Sequence, residues 1–202
     1  MEIKEHLKIY QRVKWFILGF ASLVAVASFL YVQYQPTEYK IAVSLDVQFV
    51  NRPTPADYQY GLYYDLKGAE MFTQHLMSLL MTPAVIGEIY TTAGQGYHVD
   101  NLDRFTNRFK TKQYSAQNFI VTFTDGNASQ GEEIGRAVGQ VITQKAAEAI
   151  MDPNGKSQFA VAASQPISVA QDYNPWIAAG LGLILGLIFS LTLVYLKEYF
   201  KE

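Results

Sequence analysis

His98, Asp100 and Asp103 are the nearest approach to a reactive cluster in this chain. An imidazole within a few residues of two carboxylates could begin a metal site or a general acid–base pair. The cluster lacks a second histidine, however, and a solvated loop with a helix cap explains the same residues. His6 and His75 have no partner at ligand spacing. Gly126, Gly131 and Gly135 follow a strand-like stretch, but the G-x-x-x-x-G-K-[ST] signature of a phosphate loop is missing, which leaves a turn and a helix start. The chain has no cysteine, so disulfides, thiolate metal sites and a cysteine nucleophile are excluded together. The sequence therefore offers no catalytic, metal-binding or cofactor-binding residue, and the expectation is a protein that is not an enzyme.

Two other groupings suit contact rather than catalysis. Tyr58, Tyr60, Tyr63 and Tyr64 form a local aromatic cluster, readable as a sugar- or protein-contacting surface or as ordinary packing. Gly182 and Gly186 have the small-xxx-small spacing that lets two helices approach closely, and Gly180 extends the row.

The elements around these groups are dominated by two apolar runs. Trp15 to Val32 and Trp176 to Leu196 contain no charged residue. A helix needs about 20 such residues to cross a hydrocarbon core of ~30 Å, so both qualify as spans. Trp15, Tyr31 and Tyr34 flank the first; Tyr173, Trp176, Tyr195 and Tyr199 flank the second, as interfacial rings do. A cleaved signal peptide is the alternative for the first run, since Ala25-Val26-Ala27 resembles a cleavage site. Its apolar character continues through Val32, which favours an uncleaved anchor.

Of the 202 residues, 50% are hydrophobic and 17% charged, with a net charge of −2, which gives no electrostatic footprint for nucleic acid. Lys4, Lys8, Arg12 and Lys14 precede the first span and Lys197 and Lys201 follow the second, whereas Lys40 alone lies close on the other side. The positive-inside rule then predicts a multi-pass protein with both termini cytoplasmic and the centre extracytoplasmic. The expected organisation is a cytoplasmic segment 1–14, transmembrane helices 15–33 and 175–196, an extracytoplasmic domain 34–174 and a cytoplasmic tail 197–202. No cytoplasmic catalytic domain is expected.

Within the central domain, Tyr39, Ile41, Val43, Leu45, Val47 and Phe49 alternate with mostly polar neighbours and predict a half-buried strand ended by Asn51 to Pro55. A helix is expected from about Asp57 to Leu80, with Phe72, Leu76, Leu79 and Leu80 on one face. Thr82 and Pro83 read as the N-cap and first residue of a second helix, which Gly94 and Gly96 end. Asp100 is the expected cap of a short third helix that buries Leu102 and Phe105. Strands follow at Phe109 to Tyr114 and Asn118 to Asp125. Ser129 and Glu132 have capping-box spacing. Behind them Ile134, Ala137, Val138, Val141, Ile142, Ala146, Ala149 and Ile150 make the clearest 3.6-residue stripe in the chain. Asp152 to Gly155 stops it, and one last strand runs from Phe159 to Val169. The fold class expected is an α+β domain of order β-α-α-α-β-β-α-β between two transmembrane helices.

This order resembles the Wzz family of bacterial polysaccharide co-polymerases, or chain-length determinants. The likeness rests on the basic N-terminus and first span, then YKIAVSLDV directly after it, and LLMTPAVIGEIY. It continues through NFIVTFTDGNASQGEEIGRAVGQVI to Pro175 leading into a Gly-rich span that ends at Glu198. The long helical excursion of larger co-polymerases is missing, so the chain looks like a compact member. The resemblance implies a homo-oligomer in the bacterial cytoplasmic membrane, in contact with membrane lipid, without a cofactor. Its partner would be a lipid-linked-glycan polymerase with its polysaccharide, whose chain length it would regulate. Some shorter members are instead adaptors for a cytoplasmic tyrosine kinase in polysaccharide export. A ligand-sensing membrane domain is the alternative from another class.

Overall fold

The computed structural model describes residues 3–50, 58–149 and 159–200. They divide into two compact units, Met1–Pro36 with Asp172–Glu202, and Thr37–Gln171.

The first unit is a pair of long helices, α1 (Ile3–Gln33) and α6 (Pro175–Tyr199). Within them Val13–Gln33 and Pro175–Lys197 are long and apolar enough to cross a membrane. Their outward side chains are large and apolar, among them Leu23, Ile184, Leu185 and Phe189. Such surface suits lipid rather than water.

The second unit is α+β. Its elements are β1 (Glu38–Phe49), α2 (Tyr58–Leu79), α3 (Pro83–Thr92), α4 (Leu102–Thr106), β2 (Lys110–Ser115), β3 (Asn118–Asp125), α5 (Ala128–Ala149), β4 (Phe159–Ala163) and β5 (Ile167–Gln171). The strands form one five-stranded sheet in the order β2-β3-β1-β4, with β5 also paired to β1, and every pairing is antiparallel. The alternation in β1 and β3 directs Ile41, Val43, Leu45 and Val47, with Phe119, Val121 and Phe123, to one face. Helix α5 buries Ile134, Val138, Val141 and Ile142 in the same core. The opposite face of the sheet carries Lys40, Thr122, Thr124, Lys110 and Val169.

The predicted final strand is two strands. Leu45 pairs with Ala163 but Ala42 pairs with Ile167, so three steps on β1 match four on the partner. The extra residue falls in Ser164-Gln165-Pro166, where proline has no N–H for the ladder. Ser164 bridges the break, because its Oγ accepts from the Ser44 N–H at 3.0 Å and its own N–H donates to the Ser44 carbonyl at 2.8 Å.

Two caps differ from expectation, and a third holds its expected place. Asn101, not Asp100, caps α4, accepting from the Arg104 N–H at 3.1 Å, and Leu102 is exposed while Phe105 is half-buried. Asn127, not Ser129, caps α5, its Oδ1 accepting from the Ser129 N–H at 2.9 Å. Glu132 is thereby released from a capping box and accepts from the Ser168 hydroxyl at 2.6 Å. Thr82 stands at the N-cap of α3, but its hydroxyl donates to the Leu79 carbonyl. Gly94, at φ 68°, closes α3 with a left-handed residue. Ala149, expected in the buried stripe, is exposed; Ile150 lies outside the described residues, as do Asn51 to Asp57 and Asp152 to Gly155.

Candidate functional site

The residues proposed for chemistry do not assemble into a reactive centre. His98 and Asp100 meet at 3.2 Å, but both side chains are 87% exposed, where water screens the pair. Asp103 stands apart in the first turn of α4, and His75 is exposed on α2. Among the described residues no group of three His, Cys, Asp or Glu could hold a metal ion.

The tyrosine cluster is only partly visible. Tyr63 and Tyr64 are exposed on α2, their rings in an edge contact at 5.7 Å. The side chains of Tyr58 and Tyr60 lie outside the described residues.

Gly182 and Gly186 lie on the face of α6 that packs against α1. Gly182, Gly186, Ser190 and Val194 recur every four residues and are all buried. A Cβ on Gly186 would stand 2.8 Å from the Ala21 Cα, and one on Gly182 would press on Ser28. The antiparallel register is therefore Ser28 against Gly182 and Ala21 against Gly186, with Phe29 meeting the Trp176 ring at 5.2 Å. Gly180, expected to extend the row, lies off it and has nothing within 4 Å. Backbone approach without a Cβ is how apolar helices gain packing energy in lipid.

A second glycine stripe, not recognised in the sequence as such, serves the sheet. Gly131, Gly135 and Gly139 recur every four residues along α5. A Cβ at these positions would lie 2.5 Å from Ile41, 2.7 Å from Pro166 and 2.8 Å from Ala163 respectively. Gly131 and Gly135, two of the glycines that mimic a phosphate loop, are thus with Gly139 the surface by which α5 lies on β1 and on the β4–β5 segment.

A basic cleft of about 400 Å³, marked by no motif along the chain, lies on the open side of the sheet. Lys40 of β1, Arg104 of α4, Lys110 of β2 and Arg108, just before β2, line it. Arg108 is fixed from several sides. Its Nη2 donates to Asp125 at 2.8 Å, its Nε donates to the Tyr90 hydroxyl at 2.9 Å, and the guanidinium lies 5.6 Å from the Phe123 ring centre. Elsewhere, hydrogen bonding to Glu88 raises the pKa of Lys145 above its ordinary value, and hydrogen bonding from Gln144, then the charge of Lys145, lowers that of Glu148. These groups form a surface network joining α3 to α5.

No protein-family model matches this chain, and comparison with curated proteins gives no match.

Proposed function

We propose that this chain is a non-catalytic, homo-oligomeric scaffold of the bacterial cytoplasmic membrane that regulates the chain length or export of a surface polysaccharide. In this reading both termini are cytoplasmic, and the α+β unit stands outside beside a lipid-linked-glycan polymerase. The observation that most supports it is the pairing of β1 with β5. β1 follows one apolar helix in sequence and β5 precedes the other, so the unit begins and ends on adjacent strands, as a domain returning to the same membrane surface requires. The order of elements is also that which resembles the co-polymerases. A scaffold of this kind acts by binding and geometry. It alters how long a polymerase retains its growing chain and makes no bond itself.

Deleting the gene tests this directly. The expected result is a changed length distribution of a surface polysaccharide whose synthesis persists. An unaltered length profile, together with a monodisperse monomer in mild detergent, would overturn the assignment.

A further inference from the structure

We propose that the basic cleft on the open face of the sheet binds a phosphate-bearing group, independently of any role in chain-length control. The chain as a whole is slightly acidic, yet four cations and no carboxylate line this one concavity. Arg108 is compensated by Asp125 and held in place. Lys40, Arg104 and Lys110 have no carboxylate within 4.0 Å among the described residues, although they converge from a strand, a helix and a second strand.

Sheet pairing enforces this convergence. Lys40 is opposite Thr124, and Lys110 is opposite Thr122, so both ammonium groups rise from neighbouring rows of one face. Like charges gathered without a counter-charge repel each other, and an anion between them removes that repulsion. A phosphate group offers several peripheral oxygens at once, which suits donors arriving from three directions better than a single carboxylate does. About 400 Å³ accommodates a phosphoester with its first substituent.

Two sources carry this chemistry, a free phosphate compound and a lipid headgroup. The sequence makes the second reasonable, since Lys40 follows Gln33 by seven residues and Gln171, also in the lining, precedes Pro175 by four.

The test uses the full chain and the variants K40Q/K110Q and K67Q/R136Q, which lose equal charge at the cleft and away from it. Inorganic phosphate is titrated into detergent-solubilised protein by calorimetry. In parallel, protein is reconstituted in phosphatidylcholine with an equal amount of phosphatidylglycerol, and the phosphatidylglycerol retained after detergent exchange is counted by mass spectrometry. The expected result is an affinity loss of about tenfold or more in K40Q/K110Q alone, with K40R/K110R retaining binding. Binding in the first arm identifies a soluble phosphate compound; selective retention only in the second identifies a headgroup. No binding in either arm, or equal losses in both glutamine variants, overturns the proposal.

Discussion

Pro166, in the break between β4 and β5, occupies the space that a side chain at Gly135 of α5 would need: a Cβ there would stand 2.7 Å from the proline Cβ. It would also crowd Val43 at 3.2 Å and Ile41 at 3.3 Å. Both lie on the rigid central strand, where neither can move aside easily. Gly135→Ala should therefore destabilise the sheet unit by about 1–3 kcal/mol through overpacking, despite a helix-propensity gain of about 1 kcal/mol. Gly126→Ala, where nothing lies within 4 Å, should be close to neutral. Denaturant titration of both variants against the parent chain measures the difference; a neutral Gly135→Ala would show that α5 does not sit this close.

Val141 is the second probe of that contact. It lies at the middle of the buried stripe and is 2% exposed. An aspartate there would enter a contact surface of buried apolar side chains and must either be buried charged or take up a proton. Val141→Asp should cost about 4 kcal/mol or more, enough to abolish cooperative unfolding in a marginally stable domain. A thermal transition within a few degrees of the parent would place the stripe in water.

Arg108 holds the β2–β3 end of the sheet against α3. Its guanidinium joins Asp125 and Tyr90 in one hydrogen-bonded group, and the Asp125 side chain is only 17% exposed. Arg108→Ala leaves that carboxylate without its cationic partner, with only the Asn127 N–H still donating to it, and should cost about 2–3 kcal/mol. Tyr90→Phe should cost about 1 kcal/mol, and the double variant less than the sum. Arg108→Lys should not restore the parent stability, because one ammonium cannot reproduce both directed bonds and the stacking on Phe123. Additive losses would show that the three groups do not act together.

The elements readable from sequence are those whose pattern arises within one segment. Ile41 to Phe49, Phe119 to Phe123 and Ile134 to Ala146 each repeat with the period of the structure they form, and Pro83 marks a helix start by its chemistry. The break at Ser164-Gln165-Pro166 is not readable, because Phe159, Val161, Ile167 and Val169 all fall on odd positions and read as one period-2 strand, although the first two are buried and the last two exposed. Register there is set by Ser44 on another strand. Asn101 and Asn127 displaced the expected caps because neighbouring residues of equal capping ability compete, and the chain entry angle decides between them. The basic cleft was hidden for a different reason: Lys40 is far from Arg104 and Lys110 along the chain, and only strand pairing brings them to one face.

Orientation is a separate prediction, resting on charge rather than on fold. Lys4, Lys8, Arg12 and Lys14 precede the first apolar helix, and Lys197 and Lys201 lie at the other end. Reporters fused to either terminus should therefore be cytoplasmic, while one inserted near Pro153, outside the described residues, should be extracytoplasmic. A cytoplasmic signal at Pro153 would remove the basis for the proposed function.

The pairing of α1 with α6 can be tested by chemistry this chain otherwise lacks. With no native cysteine, the pair Ser28→Cys and Gly182→Cys is unambiguous. The Ser28 Cβ lies 2.8 Å from a Cβ built on Gly182, and a slight opening brings the two to the roughly 3.5–4.5 Å that a disulfide spans. Oxidation should give an intramolecular bond, seen as a faster-migrating monomer on non-reducing gels. Adding Gly186→Leu should cut that yield severalfold, because its branched side chain must enter the space beside Ala21 and Val24. Gly180→Leu should leave the yield unchanged, since no neighbour lies within 4 Å of that position. If the cysteines instead link two chains into a dimer, the small-residue face belongs to contacts between copies. If Gly186→Leu and Gly180→Leu behave alike, helix contact does not depend on the Gly182–Gly186 row.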